Sequence, residues 1–387
     1  MTIYAILFAL LAFLYYHYDI RKELNYKDIC YFITCVVLIC VAGLRYRIGY
    51  DTTNYMSDFS SPYIPALSDF SFTADYGGDV LWILINSFAK SVGGGFCTVQ
   101  FVQAIIVNVI VFWFIKRHSP QPFLAVLLYF MFQWWNYCFE AMRESIAIAF
   151  YLFALDALIT KKSIVKYYLR AWPAIFAHTF GFVVLIFPLL RYIRINKYLP
   201  VILVVFGLVC ISLSDILTGM VENILTMGID SSATSKMVKY IDSDVYGEAN
   251  LSLAGIISLV ISRIMPISAF IYILHKTQKP EAEIFIPYLI AYIFVVCLRI
   301  AVPIFFRFFN YFEIMLIIAI TQTMQYTRPK TLLRYLAVFM LSSMVLIRTY
   351  ELTKPEGGAK VYNRYVPYNS VFSQDYNERS ESIFRYY

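Results

Sequence analysis

Ile29-Cys-Tyr-Phe-Ile-Thr-Cys-Val-Val-Leu-Ile-Cys-Val-Ala-Gly-Leu44 contains no charged side chain, and it opens directly onto Arg45-Tyr-Arg47-Ile-Gly49-Tyr-Asp51-Thr-Thr-Asn-Tyr55. The first part has the apolarity and nearly the length of a membrane crossing. The second puts two arginines and an aspartate where that crossing leaves hydrocarbon. Charge beside a membrane is expensive, so it serves either anchoring or chemistry.

The rest of the chain repeats the first part many times. Of the 387 residues, 60% are hydrophobic and only 15% are charged. A soluble domain of this size has no use for so much apolar surface. Apolar runs of about 17 to 25 residues recur, each able to cross a roughly 30 Å core. The weak alternation in ten-residue segments that marks a membrane barrel is missing. The composition therefore specifies an all-α polytopic integral membrane protein. The net charge of +7 sits mostly in short loops, where it reports membrane orientation and not nucleic-acid binding. Cys30, Cys35, Cys40, Cys97, Cys138, Cys210 and Cys297 lie in or at the ends of apolar runs and read as small apolar side chains, neither a disulfide framework nor a metal site.

Basic linkers orient the crossings. Those around Arg21-Lys22-Lys27, Lys116-Arg117, Lys161-Lys162-Lys166, Arg191-Arg194-Lys197, His275-Lys276-Lys279 and Arg328-Lys330-Arg334 belong in the cytoplasm. Residues 2–16 then form an uncleaved first helix that enters from outside. The acidic stretch 45–79 is a first outer loop and 215–250 a second, and residues 351–387 form a tail against the outer face, its aromatic content too high for disorder. Residues 1–350 make one membrane domain of roughly eleven to thirteen membrane segments, short and re-entrant ones included. Two segments are irregular. Residues 80–92 are expected as an outer-surface or re-entrant helix, and residues 167–190 as two short helices meeting near His178, with Pro173 and Gly181 flanking the break.

This orientation leaves Arg45, Arg47, Arg143, Arg299 and Arg307 at or near the outer boundary, where basic residues should be scarce. Arg143 lies between Glu140 and Glu144, close enough in a helix for part of that cluster to pair internally. Trp134, Trp135 and Tyr137 before it mark the interface level. Plain readings stand beside the functional ones: lipid-headgroup anchoring for the arginines, backbone capping for His178 and a solvated surface for the acidic loop. Taken together, several guanidinium groups around one outward cavity suit phosphate oxygens, since the planar fork donates two hydrogen bonds at once. A membrane-delivered diphosphate is the matching ligand.

Leu44-Arg45-Tyr46-Arg47-Ile48-Gly49-Tyr50-Asp51 with Tyr55, Met142-Arg143-Glu144-Ser145-Ile146-Ala147, Phe176-Ala177-His178, the 299–311 region and Pro367-Tyr368 follow one another in an order that resembles the Wzy/EpsG-type polymerases of bacterial O-antigen, capsule and exopolysaccharide. The family commonly has an amide after the arginine of the second motif, where this chain has Glu144. The resemblance implies a multi-pass protein of the bacterial cytoplasmic membrane with a GT-C-like cavity facing outside. It implies a glycosyltransferase that joins oligosaccharide repeat units carried on undecaprenyl diphosphate, both as donor and as acceptor, with a flippase and a chain-length regulator as neighbours. Arg45, Arg47 and Arg143, then Arg299 and Arg307, would hold the leaving diphosphate. Asp51, His178 and Glu144, in that order, are candidates for aligning or deprotonating the acceptor hydroxyl. Tyr50, Tyr55 and Tyr311 would stack on sugar faces. No cofactor and no required metal are expected, although Asp51 and its acidic loop keep a divalent ion open.

A ligase that moves finished glycan from the same carrier needs the same outward diphosphate site. A flippase or other transporter would instead spread charge through the depth of the membrane and often display repeats, and neither is evident in the sequence. A membrane acyltransferase acting through His178 would not require several outward arginines.

Overall fold

The computed structural model describes residues 2–71, 79–195, 198–214, 216–217, 219–220, 253–353 and 365–373. Asp75, nearly all of the second outer loop and the tail outside 365–373 therefore lie outside the described residues, as does the side chain of Tyr50. Among the described residues the secondary structure is helical apart from one isolated bridge. Six helices are long and apolar enough to cross a membrane: Thr2–Ile20, Phe96–His118, Gly255–Thr277, Pro280–Ala301, Ile304–Tyr326 and Leu332–Thr349. Shorter apolar helices accompany them, so the chain is an all-α polytopic membrane protein.

The chain divides into two compact units, Met1–Val184 with Leu346–Tyr387, and Leu185–Val345. In the first, α1 (Thr2–Leu14) continues through a π-helical turn, followed by α2 (Lys27–Gly43), α3 (Tyr50–Ser60), α4 (Val80–Ser91), α5 (Phe96–His118), α6 (Pro122–Phe132), α7 (Met142–Lys161) and α8 (Ile164–Ala177). Helix α5 is the mast of this unit, packing against α2, α4, α6 and α7. Its inner face carries Gln100, Gln103 and Asn108, all buried, which is costly in an apolar span unless the amides find partners. Gln103 does, donating to the Tyr137 carbonyl and the Ser145 hydroxyl, each at 2.8 Å. Those acceptors flank the irregular turn between α6 and α7, whose freed backbone groups need satisfaction from within the protein.

Three elements differ from the expectation. The first outer loop contains α3, because its N-terminus is capped by a carboxylate distant in sequence, as described below. The aromatic run before Arg143 is not an interfacial belt: Trp134 and Tyr137 are fully buried, and Trp135 packs on Tyr4 and Tyr365 at ring separations of 4.3 and 5.0 Å. The break at His178 is where it was expected, yet its second half is a 3-10 stretch, Thr179–Leu185, and a single short turn, α9 (Phe187–Leu190). Gly181 explains the doubling back, since a Cβ there would stand 2.0 Å from the Ala174 carbonyl oxygen.

The second unit contains α9, α10 (Leu199–Ser212), α11 (Leu253–Leu259), a π-helical turn at Val260–Ile264, α12 (Met265–Thr277), α13 (Pro280–Glu283), α14 (Ile286–Ala301), a 3-10 stretch at Pro303–Phe309 and α15 (Asn310–Tyr326). Residues 311–324 of α15 are all buried, so this helix, apolar almost all round, is the core of the unit. The boundary between units falls within α16 (Leu332–Thr353).

Candidate functional site

Arg45 stands just past the end of α2 and is 0% exposed. Its terminal nitrogens donate to the Ala42 carbonyl at 2.5 Å and meet the Met142 sulfur at 3.1 Å, and the guanidinium lies 4.7 Å from the centre of the Phe139 ring. No carboxylate of the described residues comes within ion-pair distance, and the buried Nε has no hydrogen-bond partner. Burial of the charge pulls the guanidinium down to about 10, although Cys138 and Glu140 oppose this. A buried charge without a counter-ion costs several kcal/mol, and the aromatic face returns only about 2 kcal/mol of it.

The residues after Arg45 are held by the turn between α6 and α7. Gly49 has φ +94° and ψ 145°, a conformation open to glycine, and a Cβ there would lie 2.7 Å from the Phe139 carbonyl oxygen and 3.1 Å from Glu140 Oε1. That close approach lets Glu140 Oε2 accept the Asp51 amide at 3.2 Å, and the Thr52 hydroxyl reaches the Phe139 carbonyl at 3.0 Å. The carboxylate of Glu140 thus caps α3, where a negative charge is favourable. Asp51, in the first turn of α3, is half-buried beside it. Arg47 has φ +51° and is half-buried, with its guanidinium 5.3 Å from the Tyr46 ring centre and no ion pair among the described residues.

Arg143 opens α7 and pairs with Asp79, Nη1 to Oδ2 at 2.7 Å, and not with Glu140 as the sequence spacing suggested. Its guanidinium also covers the Tyr55 ring at 5.3 Å, and Tyr55 packs on Trp82 at 5.2 Å. Tyr55 and Glu144 are both buried. The segment from Asn136 to Arg143 thus meets Arg45 through Met142 and Phe139, Asp51 through Glu140 and Tyr55 through Arg143, and Glu144 follows on the first turn of α7. His178 lies in the same unit at the α8 break, where its Nδ1 accepts the Phe180 amide at 3.1 Å. That bond leaves the proton of a neutral ring on Nε2, so in this state the imidazole presents a donor.

In the second unit Arg299 ends α14, with a buried Nη1 that has no hydrogen-bond partner. Arg307 lies on the 3-10 stretch, 5.5 Å over Phe306, and Tyr311 is fully buried with its ring 6.2 Å from Phe187.

Sequence reasoning passed over several charged groups. Asp79 is the partner of Arg143, Glu140 caps α3 where the spacing had set it beside Arg143, and Asp156 collects Arg117 at 2.6 Å with His118 and Arg170 at 3.2 Å. Arg263, in the π-helical turn, pairs with Glu313 and meets the Tyr292 hydroxyl at 3.1 Å, while that hydroxyl donates to Glu313 at 2.5 Å. Three crossings supply this triad. Counting about 1.5 Å per α-helical and 2.0 Å per 3-10 residue from Gly255, Ala301 and Ile304, each member sits about 12 to 16 Å along its helix. The available signal was an arginine and a glutamate inside apolar runs, which accounting for charged loops alone ignores.

No curated protein and no solved structure matches this chain. The family model described as the EpsG family matches residues 28–370, from the start of α2 to the bridge beside Arg45, and the chain belongs to that family.

Proposed function

We propose that the chain is a membrane glycosyltransferase that polymerises oligosaccharide repeat units carried on undecaprenyl diphosphate, acting at the outer face of the bacterial cytoplasmic membrane. Membership of the EpsG family supports a polysaccharide-polymerase-type role. The observation that carries the finer reading is Arg45, a fully buried guanidinium with an unused Nε and no carboxylate partner among the described residues.

The reaction forms a bond between an acceptor hydroxyl oxygen and the anomeric carbon of the growing chain. It breaks the bond from that carbon to the diphosphate, which departs with the electron pair. Arg45, Arg47 and Arg143 stabilise the charge that develops there, in surroundings where water does not screen it. Arg299 and Arg307 are further candidates for holding the same class of group. The acceptor's proton goes to a carboxylate, Asp51 before Glu144, with His178 donating through Nε2 to a sugar or phosphate oxygen.

The test is the glycan profile of a strain lacking the chain, complemented with Arg45→Ala, Arg47→Ala or Arg143→Ala. Single repeat units in place of long polymer are expected, with each variant losing on the order of 10²-fold or more in rate. Full-length polymer from all three variants overturns the diphosphate reading. In the strain lacking the chain, full-length polymer retained on its carrier makes the protein a ligase, and unpolymerised units held on the cytoplasmic side make it a flippase.

A further inference from the structure

Arg45 is closed off by the same chain. It forms an antiparallel bridge with Ser370, flanked by Tyr46 N–H to the Asn369 carbonyl and Val371 N–H to the Leu44 carbonyl, both at 2.9 Å. In this pattern Arg45 and Ser370 form the close, non-hydrogen-bonded pair of the ladder. Two hydroxyls pin the segment before the bridge: Tyr368 donates to the Val41 carbonyl at 2.9 Å, and Tyr4 donates to the Tyr365 carbonyl at 3.0 Å. The Tyr365 ring rests on Trp135 at 5.0 Å and on Phe139 at 5.9 Å. Phe139 is also the ring that faces the Arg45 guanidinium. The outer side of the segment is open, with Phe372 78% exposed.

We propose that residues 365–373 are a strap that closes the Arg45 site and lifts to admit the lipid diphosphate; this rests on the diphosphate reading given above. A cover that never moved would bury an uncompensated guanidinium with nothing gained in return. A cover that opens lets an anion supply the missing counter-charge, and on closing it removes water from the charge pair. The strap is built for such a change. Its described residues include an exposed Pro367 and Phe372, and main-chain hydrogen bonds, tyrosine hydroxyls and the Tyr365 ring contacts are among what fastens it. The closed form is the resting population, the anion enters through the less populated open form, and binding then favours the strap closed over it.

The test reads accessibility and does not depend on activity. In the full-length chain with the seven native cysteines replaced by alanine, Arg45→Cys is exposed in membranes to a hydrophilic methanethiosulfonate reagent. Slow labelling is expected with the strap intact, and labelling at least tenfold faster when Tyr365→Ala and Tyr368→Ala are added. Tyr4→Phe with Tyr368→Phe, which removes only the two hydroxyl ties, should accelerate labelling several-fold, and it carries the test if the alanine pair does not accumulate. Equal rates in the intact and loosened chains overturn the strap, as does rapid labelling of the intact one. Binding of undecaprenyl diphosphate to the chain with Arg45 and to Arg45→Ala is measured separately. Equal affinity there removes the diphosphate reading without altering what the labelling says about the strap.

Discussion

Gly49 and Arg143 are the two positions at which single substitutions test the candidate site. Gly49→Ala places a Cβ 2.7 Å from the Phe139 carbonyl oxygen in a backbone conformation that non-glycine residues avoid. A cost of about 2–4 kcal/mol and loss of polymer are expected, because α3 must then leave its cap on Glu140. Gly95→Ala is the matched control: nothing lies within 4 Å of its Cβ, and thermal stability should stay within roughly 0.5 kcal/mol of the parent. Asp79 is expected to act through Arg143. Polymerisation rates in a double-mutant cycle should show Asp79→Ala slowing the reaction in the parent and adding little once Arg143→Ala is present. Additive losses would give Asp79 a separate role. The arginines and Gly49 were legible because charge and a glycine at the mouth of an apolar run stand out in one dimension. Asp79 and Glu140 were not, since their partners lie 64 and 89 positions away and only folding brings them together.

Helices end where an apolar run meets a basic linker, because the same residues set both the crossing and its stop. The α7–α8 hairpin is one case. Lys162 takes a left-handed conformation at the end of α7, and Ser163 caps α8 by accepting the Lys166 amide. Helix α3 was missed for the opposite reason: its sequence is polar, and its cap comes from another element. Asp156 ties α5, α7 and α8 at the basic end of the hairpin, holding Arg117, His118 and Arg170 around a carboxylate that is only 2% exposed. Asp156→Ala leaves Arg117 and Arg170 without their shared carboxylate, the first 47% and the second 23% exposed. A loss of about 1–3 kcal/mol is expected in the unfolding of the purified protein, and a smaller one for Asp156→Asn, which keeps an acceptor. Asp28→Ala is the contrast. It breaks the Lys116 pair at 2.8 Å, but both side chains are largely exposed there, and stability should barely change.

At the scale of the whole molecule, the membrane class was evident from composition, whereas charge inside the crossings was not. Arg263, Tyr292 and Glu313 meet at depth in the second unit, so the expectation that unusual charges collect at one face describes only part of the protein. Ring contacts hold the triad in place, with Tyr292 stacked on Phe312 at 5.4 Å. An ion pair of this kind fixes the register of the helices that contribute to it. The direction in which the chain sits in the membrane follows from a different property, the placement of lysine and arginine in short loops. Asp69 and Lys166 are both exposed, on an acidic stretch and a basic one respectively, and so report on the two sides. In a cysteine-free chain in intact cells, a cysteine at Asp69 should react with an impermeant thiol reagent, and one at Lys166 only after the membrane is permeabilised. The reverse pattern would put the Arg45 stretch in the cytoplasm, where a reaction joining units already exported has no substrate. This labelling therefore tests the outward polymerase as directly as it tests the topology.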